Sequence, residues 1–296
     1  MLRLRAHAKV NLALEVLGRR PDGFHELATV LQTVDLHDRL TLEPAPALSL
    51  SCSRPDLEGE GNLALRAGRL LREAYGVHEG ARIRLEKGIP VASGLGGGSA
   101  DGAGALVGLA RLWGLGLDRQ ALHPLAERLG SDVPFFLYGG TALAEGRGER
   151  ITPLPPAHPL WFVVVVPPIP VPPDKTARVF ARVRPSHYSD GSRVRELVAC
   201  LRAGRLPTPD LLHNALEGPA QSAFPALEEY RRALLRAGAS AVHLSGAGPA
   251  LFSLVSGPEE GWEVLEGLHR QGIGGMLLHS VPEGVVEETE RGPWNP

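Results

Sequence analysis

The chain has 296 residues, 43% of them hydrophobic and 22% charged, with 31 basic and 33 acidic side chains and a net charge of −2. That length fits two domains whose cores need no disulfide or metal staples, and the balanced charge supplies neither a nucleic-acid surface nor a solvating acidic tail. Cys52 and Cys200 are too few for a disulfide framework or metal cluster, Lys9, Asn11 and Glu15 interrupt the N-terminal apolar stretch, and the run from Leu160 to Val166 falls far short of the ~20 residues that span a bilayer.

A cytoplasmic protein with no nucleic-acid or membrane partner is therefore expected. Ala8 to Val16 alternates, with Ala8, Val10, Leu12, Leu14 and Val16 on one face and Lys9, Asn11, Ala13 and Glu15 on the other. A period of two predicts a half-buried strand that carries Lys9 and Asn11 side by side. Pro21-Asp22-Gly23 predicts a turn, and Thr29–Val34 and Leu40–Leu42 read as strands. Asn62 is placed to cap a helix with the stripe Leu63, Ala67, Leu70, Leu71 and Ala74, closed by Gly76. Ala81–Leu85 alternates again.

A loop from Lys87 to Ser99 follows, ending Gly94-Leu95-Gly96-Gly97-Gly98-Ser99, and a helix is predicted over 100–113. Gly102, Gly104 and Gly108 inside that helix each cost about 1 kcal/mol against alanine and point to close backbone packing. Arg119–Leu129 reads as a helix stopped by Gly130, and Ser131-Asp132-Val133-Pro134 opens another. Proline around Pro153 to Pro159 marks a domain boundary. Beyond it come the strand Trp161–Val166, a proline-rich connector to Pro173, and a helix from Pro225 to Gly238. A strand at Ala241–Leu244 meets a second glycine loop, Ser245-Gly246-Ala247-Gly248-Pro249. A strand at Ala250–Val255 and a helix over 259–269 complete the pattern, and the residues after Glu283 read as a loosely held tail. Helices and strands alternate without barrel spacing, which predicts an α+β fold over residues 1–154 and 155–283, with 284–296 as the tail.

A glycine-rich loop that enters a helix is an anion site, because free N–H groups and the helix dipole point at the ligand. The Gly94–Ser99 loop fits that chemistry, yet it contains neither a Gly-Lys-Ser/Thr phosphate loop nor a Gly-x-Gly-x-x-Gly fingerprint. Asp132 at a helix start suits an acceptor for a hydroxyl proton. Taken singly, each feature also has an ordinary reading: a flexible turn, a helix-start acid, an exposed strand lysine. Usage of basic residues adds a pointer, since Lys9, Lys87 and Lys175 are the only lysines beside 28 arginines. Coding bias or thermal adaptation is the ordinary reading of that usage; the other is that a lysine retained where arginine serves almost everywhere marks a need for a compact point charge.

Together the blocks Ala8-Lys9-Val10-Asn11-Leu12, Pro90 to Ser99 and Ser245 to Pro249 resemble the superfamily of galactokinase, homoserine kinase, mevalonate kinase and phosphomevalonate kinase. Within it the chain is most similar to the 4-diphosphocytidyl-2-C-methyl-D-erythritol kinase family. The residues that carry that likeness are Arg20-Pro21-Asp22-Gly23-Phe24-His25, the triple glycine, Gly130-Ser131-Asp132-Val133-Pro134-Phe135-Phe136 and Asn214-Ala215-Leu216-Glu217. The resemblance implies a ribosomal-protein-S5-like N-terminal domain, a ferredoxin-like C-terminal domain, and ATP-dependent phosphorylation of the 2-hydroxyl of a cytidyl diphosphate sugar alcohol for isoprenoid synthesis, with Mg²⁺.

By the same resemblance Lys9 and Asp132 are the catalytic pair. ATP falls to Lys87, Pro90, Gly94, Leu95, Gly96, Gly97, Gly98 and Ser99. The acceptor falls to Asn11, Phe24, His25, Thr176, Phe180, Gly246 and Gly248. Ala100 and Asp101 stand where the family usually has serine and asparagine, so the protein ligands of Mg²⁺ stay unassigned, and Phe24 stands where it has tyrosine, which keeps a stacking face but loses a hydroxyl. A sibling kinase for a non-nucleotide acceptor and an RNA-binding S5-like module are the rival classes. Balanced charge without an aromatic-interleaved basic patch argues against the second.

Overall fold

The computed structural model describes residues 1–156 and 159–288. β1 (Leu2–Arg19) and β2 (His25–Ala45) form one long hairpin about the Pro21-Asp22-Gly23 turn. The two strands predicted at Thr29–Val34 and Leu40–Leu42 are thus parts of one. An irregularity between His7 and Ala8 on β1 lets pairing resume on its far side.

The half-buried strand expected at Ala8–Val16 is corrected: every residue from Ala6 to Val16 is buried. The reason is that the polar face is covered too: the Leu95 loop docks at Lys9, Asn11 Nδ2 donates to Thr29 Oγ1, and Glu15 Oε2 accepts the Val194 N–H, while the apolar face is shared among three cores. Leu2, Leu4 and Ala6 enter one core, Ala8, Val10 and Leu12 a second, and Leu14 and Val16 a third. The handover points coincide with register shifts at His7/Ala8 and Asn11/Ala13, where irregular pairing re-aims the side chains that follow.

The first sheet has eight strands. β12 (Val285–Glu287), β1, β2, β4 (Gly80–Glu86) and β3 (Ser49–Cys52) lie in that order. β5 (Thr141–Gly146) pairs β2, β6 (Arg150–Pro153) pairs β5, and β8 (His213–Asn214) pairs β1. On its outer side α1 (Leu63–Tyr75), α2 (Gly97–Leu112), α3 (Arg119–Leu129) and α4 (Val133–Tyr138) close the first core. Asn62 caps α1 by accepting from the Ala64 N–H at 2.9 Å, as its sequence predicts. The close backbone packing expected of the α2 glycines is corrected to close side-chain packing: a Cβ at Gly108 would collide with the side chains of Leu4 and Leu42, and one at Gly102 would come 3.2 Å from Leu63 Cβ.

The second sheet runs β11 (Met276–His279), β7 (Trp161–Val165), β10 (Leu251–Val255), β9 (His243–Leu244), all antiparallel. Its first strand in sequence lies between its last and its third, the order of a ferredoxin-like unit. α5 (Lys175–Phe180), α6 (Ser192–Arg202), α7 (Glu217–Ala223) and α8 (Leu227–Arg236) lie between β7 and β9 in sequence, and α9 (Pro258–His269) between β10 and β11.

The tail expected over 284–296 is corrected where it is described. Val285–Glu287 pairs with Leu4–Ala6 and extends the first sheet. The charged sequence hid this: Val285 packs on the first core while Glu287 and Glu288 reach Arg111, Arg39 and Arg5. Residues 289–296 lie outside the described residues, as do 157 and 158 within the proline-rich boundary.

Candidate active site

Three blocks far apart in sequence meet on β1. The Lys9 N–H donates to Leu95 O at 2.9 Å, which docks the first glycine loop on the strand. The Ala250 N–H donates to Ser93 O at 2.8 Å, and Ser245 Oγ donates to Gly94 O at 3.1 Å, which seats that loop on the second. Gly94 (φ 93°) and Gly96 (φ 80°) take left-handed backbone, and a Cβ at Gly96 would press on Phe136 and on Lys9 Cγ. The helix expected from residue 100 begins at Gly97, so Gly97, Gly98 and Ser99 are its first turn. Gly96 offers no side-chain cap, and the first-turn N–H groups are left for a ligand.

These elements line a cleft of about 1560 Å³. Pockets for one drug-sized ligand run to roughly 300–1,000 Å³, so the cleft is large enough for two. Its lining includes Leu57, Asn62, Pro90 and Val91 with the Gly96–Ser99 turn, and also Phe24, His25, Thr176, Phe180 and Tyr188. Lys9, Asp132, Lys175 and Gly246 lie on the cleft wall with them.

Lys9 is buried, and its Nζ lies 3.9 Å from Asp132 Oδ2, whose side chain is 45% exposed. Burial lowers the Lys9 pKa from its ordinary value, against the pull of Asp132. Lys9 Nζ donates to Asn11 Oδ1 at 2.6 Å, Asn11 Nδ2 to Thr29 Oγ1 at 3.0 Å, and Thr29 Oγ1 to Ala13 O at 2.6 Å. That relay fixes the ammonium and gives Asn11 a positioning part. Asp132 immediately precedes α4, yet its carboxylate makes no capping bond.

Lys87 is differently placed. Its ammonium is buried between Asp38 and Asp101 Oδ2. Burial opposes the charge, but Asp101 and Asp38 outweigh it and hold the Lys87 pKa above its ordinary value. Burial also pushes the Asp101 carboxyl well above the usual carboxylate range; Lys87 counters this and Asp38 adds to it. The acid that departs from the family loop is therefore matched inside the protein.

Leu95 turns its fully buried side chain into the second core and contributes its carbonyl to Lys9. Gly248 contributes its carbonyl to the Lys175 ammonium. His25 stacks on Phe180, with centroids 5.3 Å apart, and the Arg147 guanidinium lies 4.8 Å from the Phe24 centroid. Phe24 and Phe180, both given to the acceptor by the resemblance, thus each carry another side chain. Asn214 Nδ2 donates to Leu244 O and Gly246 O, both at 2.8 Å, and braces the second loop.

Sequence reasoning overlooked Arg147 and Tyr188, whose single positions have no motif. It had one signal for Lys175, the scarcity of lysine, and all three lysines do line the cleft.

The family description "GHMP kinases N terminal domain" matches residues 62–140, and "GHMP kinases C terminal" matches 195–274. The chain is 43% identical over 281 residues to a 4-diphosphocytidyl-2-C-methyl-D-erythritol kinase of Dehalococcoides mccartyi, covering 95% of this chain and 99% of that one. It is 46% identical over 267 residues to the like-named protein of Symbiobacterium thermophilum, covering 90% and 94%. A crystal structure of 4-(cytidine 5'-diphospho)-2C-methyl-D-erythritol kinase superposes with a TM-score of 0.78 at 41% identity, over 94% of this chain and 98% of that one. A homoserine kinase from Cytophaga hutchinsonii, at 22% identity and TM-score 0.75 over 97% of each chain, shares the fold. Among the described residues no helix is long and apolar enough to cross a membrane.

Proposed function

The chain belongs to the 4-diphosphocytidyl-2-C-methyl-D-erythritol kinase family of the GHMP kinases, and on that premise we propose how its own residues transfer the γ-phosphoryl of ATP to the acceptor's 2-hydroxyl. The observation that carries the reading is the Lys9–Asp132 pair, 3.9 Å apart on the wall of a cleft large enough for two ligands.

ATP lies with its phosphates on the N–H groups of Gly97, Gly98 and Ser99. The acceptor lies toward Phe24, His25, Thr176 and Phe180, with Gly246 beneath it. Asp132 takes the hydroxyl proton as the oxygen attacks the γ-phosphorus, and the bond to ADP breaks. Lys9 holds the negative charge that grows on the oxygen and phosphoryl. Such a transfer needs mainly in-line positioning and charge stabilisation. Burial favours neutral His25, with nearby Arg19 adding to the effect. A neutral ring offers both a donor and an acceptor to a base edge.

Mg²⁺ belongs to this reading through the family. A cation carried in by phosphates needs only one or two carboxylates. Asp101 lines the cleft, but its carboxyl is paired with Lys87 and burial pushes it above the usual carboxylate range, so it does not fit a Mg²⁺ ligand and the protein ligands of the metal stay unassigned. When bound, it neutralises charge on the β- and γ-phosphates.

The test is to incubate the protein with γ-labelled ATP, Mg²⁺ and a panel of cytidyl and non-cytidyl alcohols. Label on the cytidyl diphosphate methylerythritol alone supports the reading. Label on mevalonate or homoserine instead assigns the chain to a sibling activity.

A further inference from the structure

A third lysine stands in the cleft that the Lys9–Asp132 chemistry does not use. Lys175 is buried, 6% exposed, at the start of α5. Its ammonium donates to Gly248 O in the second glycine loop. The same loop touches the catalytic lysine, since a Cβ on Gly246 would lie 3.2 Å from Lys9 Nζ. Two ammonium groups therefore flank one loop, and both line the cleft with Asp132.

From this placement we propose that Lys175 is a catalytic residue, a second ammonium that contacts the transferring phosphoryl group opposite Lys9. The inference rests on the phosphoryl-transfer reading above. Two like charges in a sheltered site are costly by themselves, because desolvation weakens each and neither compensates the other. A multiply charged anion between them reverses the balance. The charged groups that act on Lys175 are Lys9 and Asp132, and one carboxylate cannot neutralise two ammoniums. Burial, and then Lys9, push the Lys175 pKa down to about 8 despite Asp132, the direction expected of a cation awaiting its counter-charge. Residue choice agrees: this position keeps lysine in a chain with 28 arginines.

Two measurements decide it. With only three lysines, ¹³Cε-lysine labelling yields three side-chain signals, assignable by Lys9→Met, Lys87→Met and Lys175→Met. The Lys175 signal should titrate near pH 8 in the free protein, and at least one pH unit higher with magnesium adenylyl imidodiphosphate. A midpoint that the analogue leaves unmoved overturns the proposal, whatever acceptor the enzyme uses. Second, Lys175→Met should lower kcat about 10²–10³-fold, the usual loss for a preorganised charge-stabilising group, and raise KM for ATP by up to about tenfold, the affinity that a one-unit pKa shift implies, with KM for the acceptor within about threefold. A kcat within threefold of wild type also overturns it. If the wild type labels no cytidyl alcohol yet the analogue shifts Lys175, the acceptor reading fails and the assignment of Lys175 stands.

Discussion

Lys87 Nζ donates to Asp101 Oδ2 at 2.6 Å, and the same ammonium also meets Asp38. Asp38 Oδ1 in turn accepts the N–H groups of Gly88 and Ile89 at 2.7 and 2.8 Å. One buried cluster thereby fixes the entry to the phosphate-binding loop. An acid that the sequence places beside the phosphates as an unwelcome charge is the counter-ion of a lysine.

Lys87→Met should be strongly destabilising, by about 3–5 kcal/mol, because it leaves two buried carboxyls facing each other. Adding Asp101→Asn should recover much of that loss, since a neutral amide relieves the repulsion. Denaturant unfolding of the four proteins of this cycle measures it. A double mutant less stable than Lys87→Met would show that the cluster is held by something else.

Gly98 provides a steric test of the proposed nucleotide site. A Cβ there meets nothing within 4 Å, and Gly98 lies in the first turn of a helix, where alanine is favoured by up to about 1 kcal/mol. Gly98→Ala should therefore keep or raise the melting temperature while raising KM for ATP at least several-fold. Unchanged KM for ATP would place the phosphates elsewhere. Gly96→Ala, by contrast, should harm the fold itself, through its φ of 80° and its collision with Phe136.

The proposed base and its ammonium partner should behave as a unit. Asp132→Asn keeps the helix start but removes the proton acceptor, and kcat should fall by at least about 10². Lys9→Met should cost ~2.7–4 kcal/mol of transition-state stabilisation. The double mutant should be barely worse than the worse single. Additive losses in steady-state kinetics would separate the two roles.

Much of this site was legible in sequence because its parts are local. A period of two put Lys9 and Asn11 on one face of β1, and a glycine-rich turn before a helix marked an anion site. What stayed hidden depends on distant pairing. Nothing in Gly284-Val285-Val286-Glu287 says that Leu4–Ala6 needs a neighbouring strand. Arg147 reaches Phe24 only because β5 and β6 fold back beside β2. Lys175 had only its rarity to mark it, since the contact that brings it in is a carbonyl 73 residues away.

Stability should fall as the solution is acidified from about pH 6.5 to about 4. Burial is the main force that lowers both His7 and His243 to about 4; His37 adds to it at His7 and Arg231 at His243. Between the unfolded value of 6.5 and the folded value, the unfolded chain binds more protons, so acid favours unfolding. Each histidine contributes on the order of 3 kcal/mol across that window. His7→Gln should flatten the pH dependence of the melting temperature there. A slope equal to wild type would mean that His7 is protonated in the folded protein.

The proposed acceptor site distinguishes this enzyme from its siblings, and the structure refines how to test it. Phe24 is 52% exposed, unusual for a large apolar ring, and it is held against the rim by Arg147. An exposed cation–π contact supplies about 0.5–1 kcal/mol, enough to bias the ring without burying it. Base–aromatic stacking is worth about 1–3 kcal/mol per base. Phe24→Ala should therefore raise KM for the cytidyl acceptor by roughly 5–150-fold, with KM for ATP little changed. Phe24→Tyr should be nearly neutral, because the stacking face remains. Arg147→Ala should raise the acceptor KM by a smaller, few-fold factor, because it frees the ring without removing it. His25 stacks on Phe180 at 5.3 Å, and the proposed acceptor site gives its ring nitrogens the edge by which cytosine differs from uracil. His25→Ala should accordingly weaken discrimination between cytidyl and uridyl analogues. Equal rises in both KM values for Phe24→Ala, together with intact discrimination in His25→Ala, would move the base pocket away from these residues.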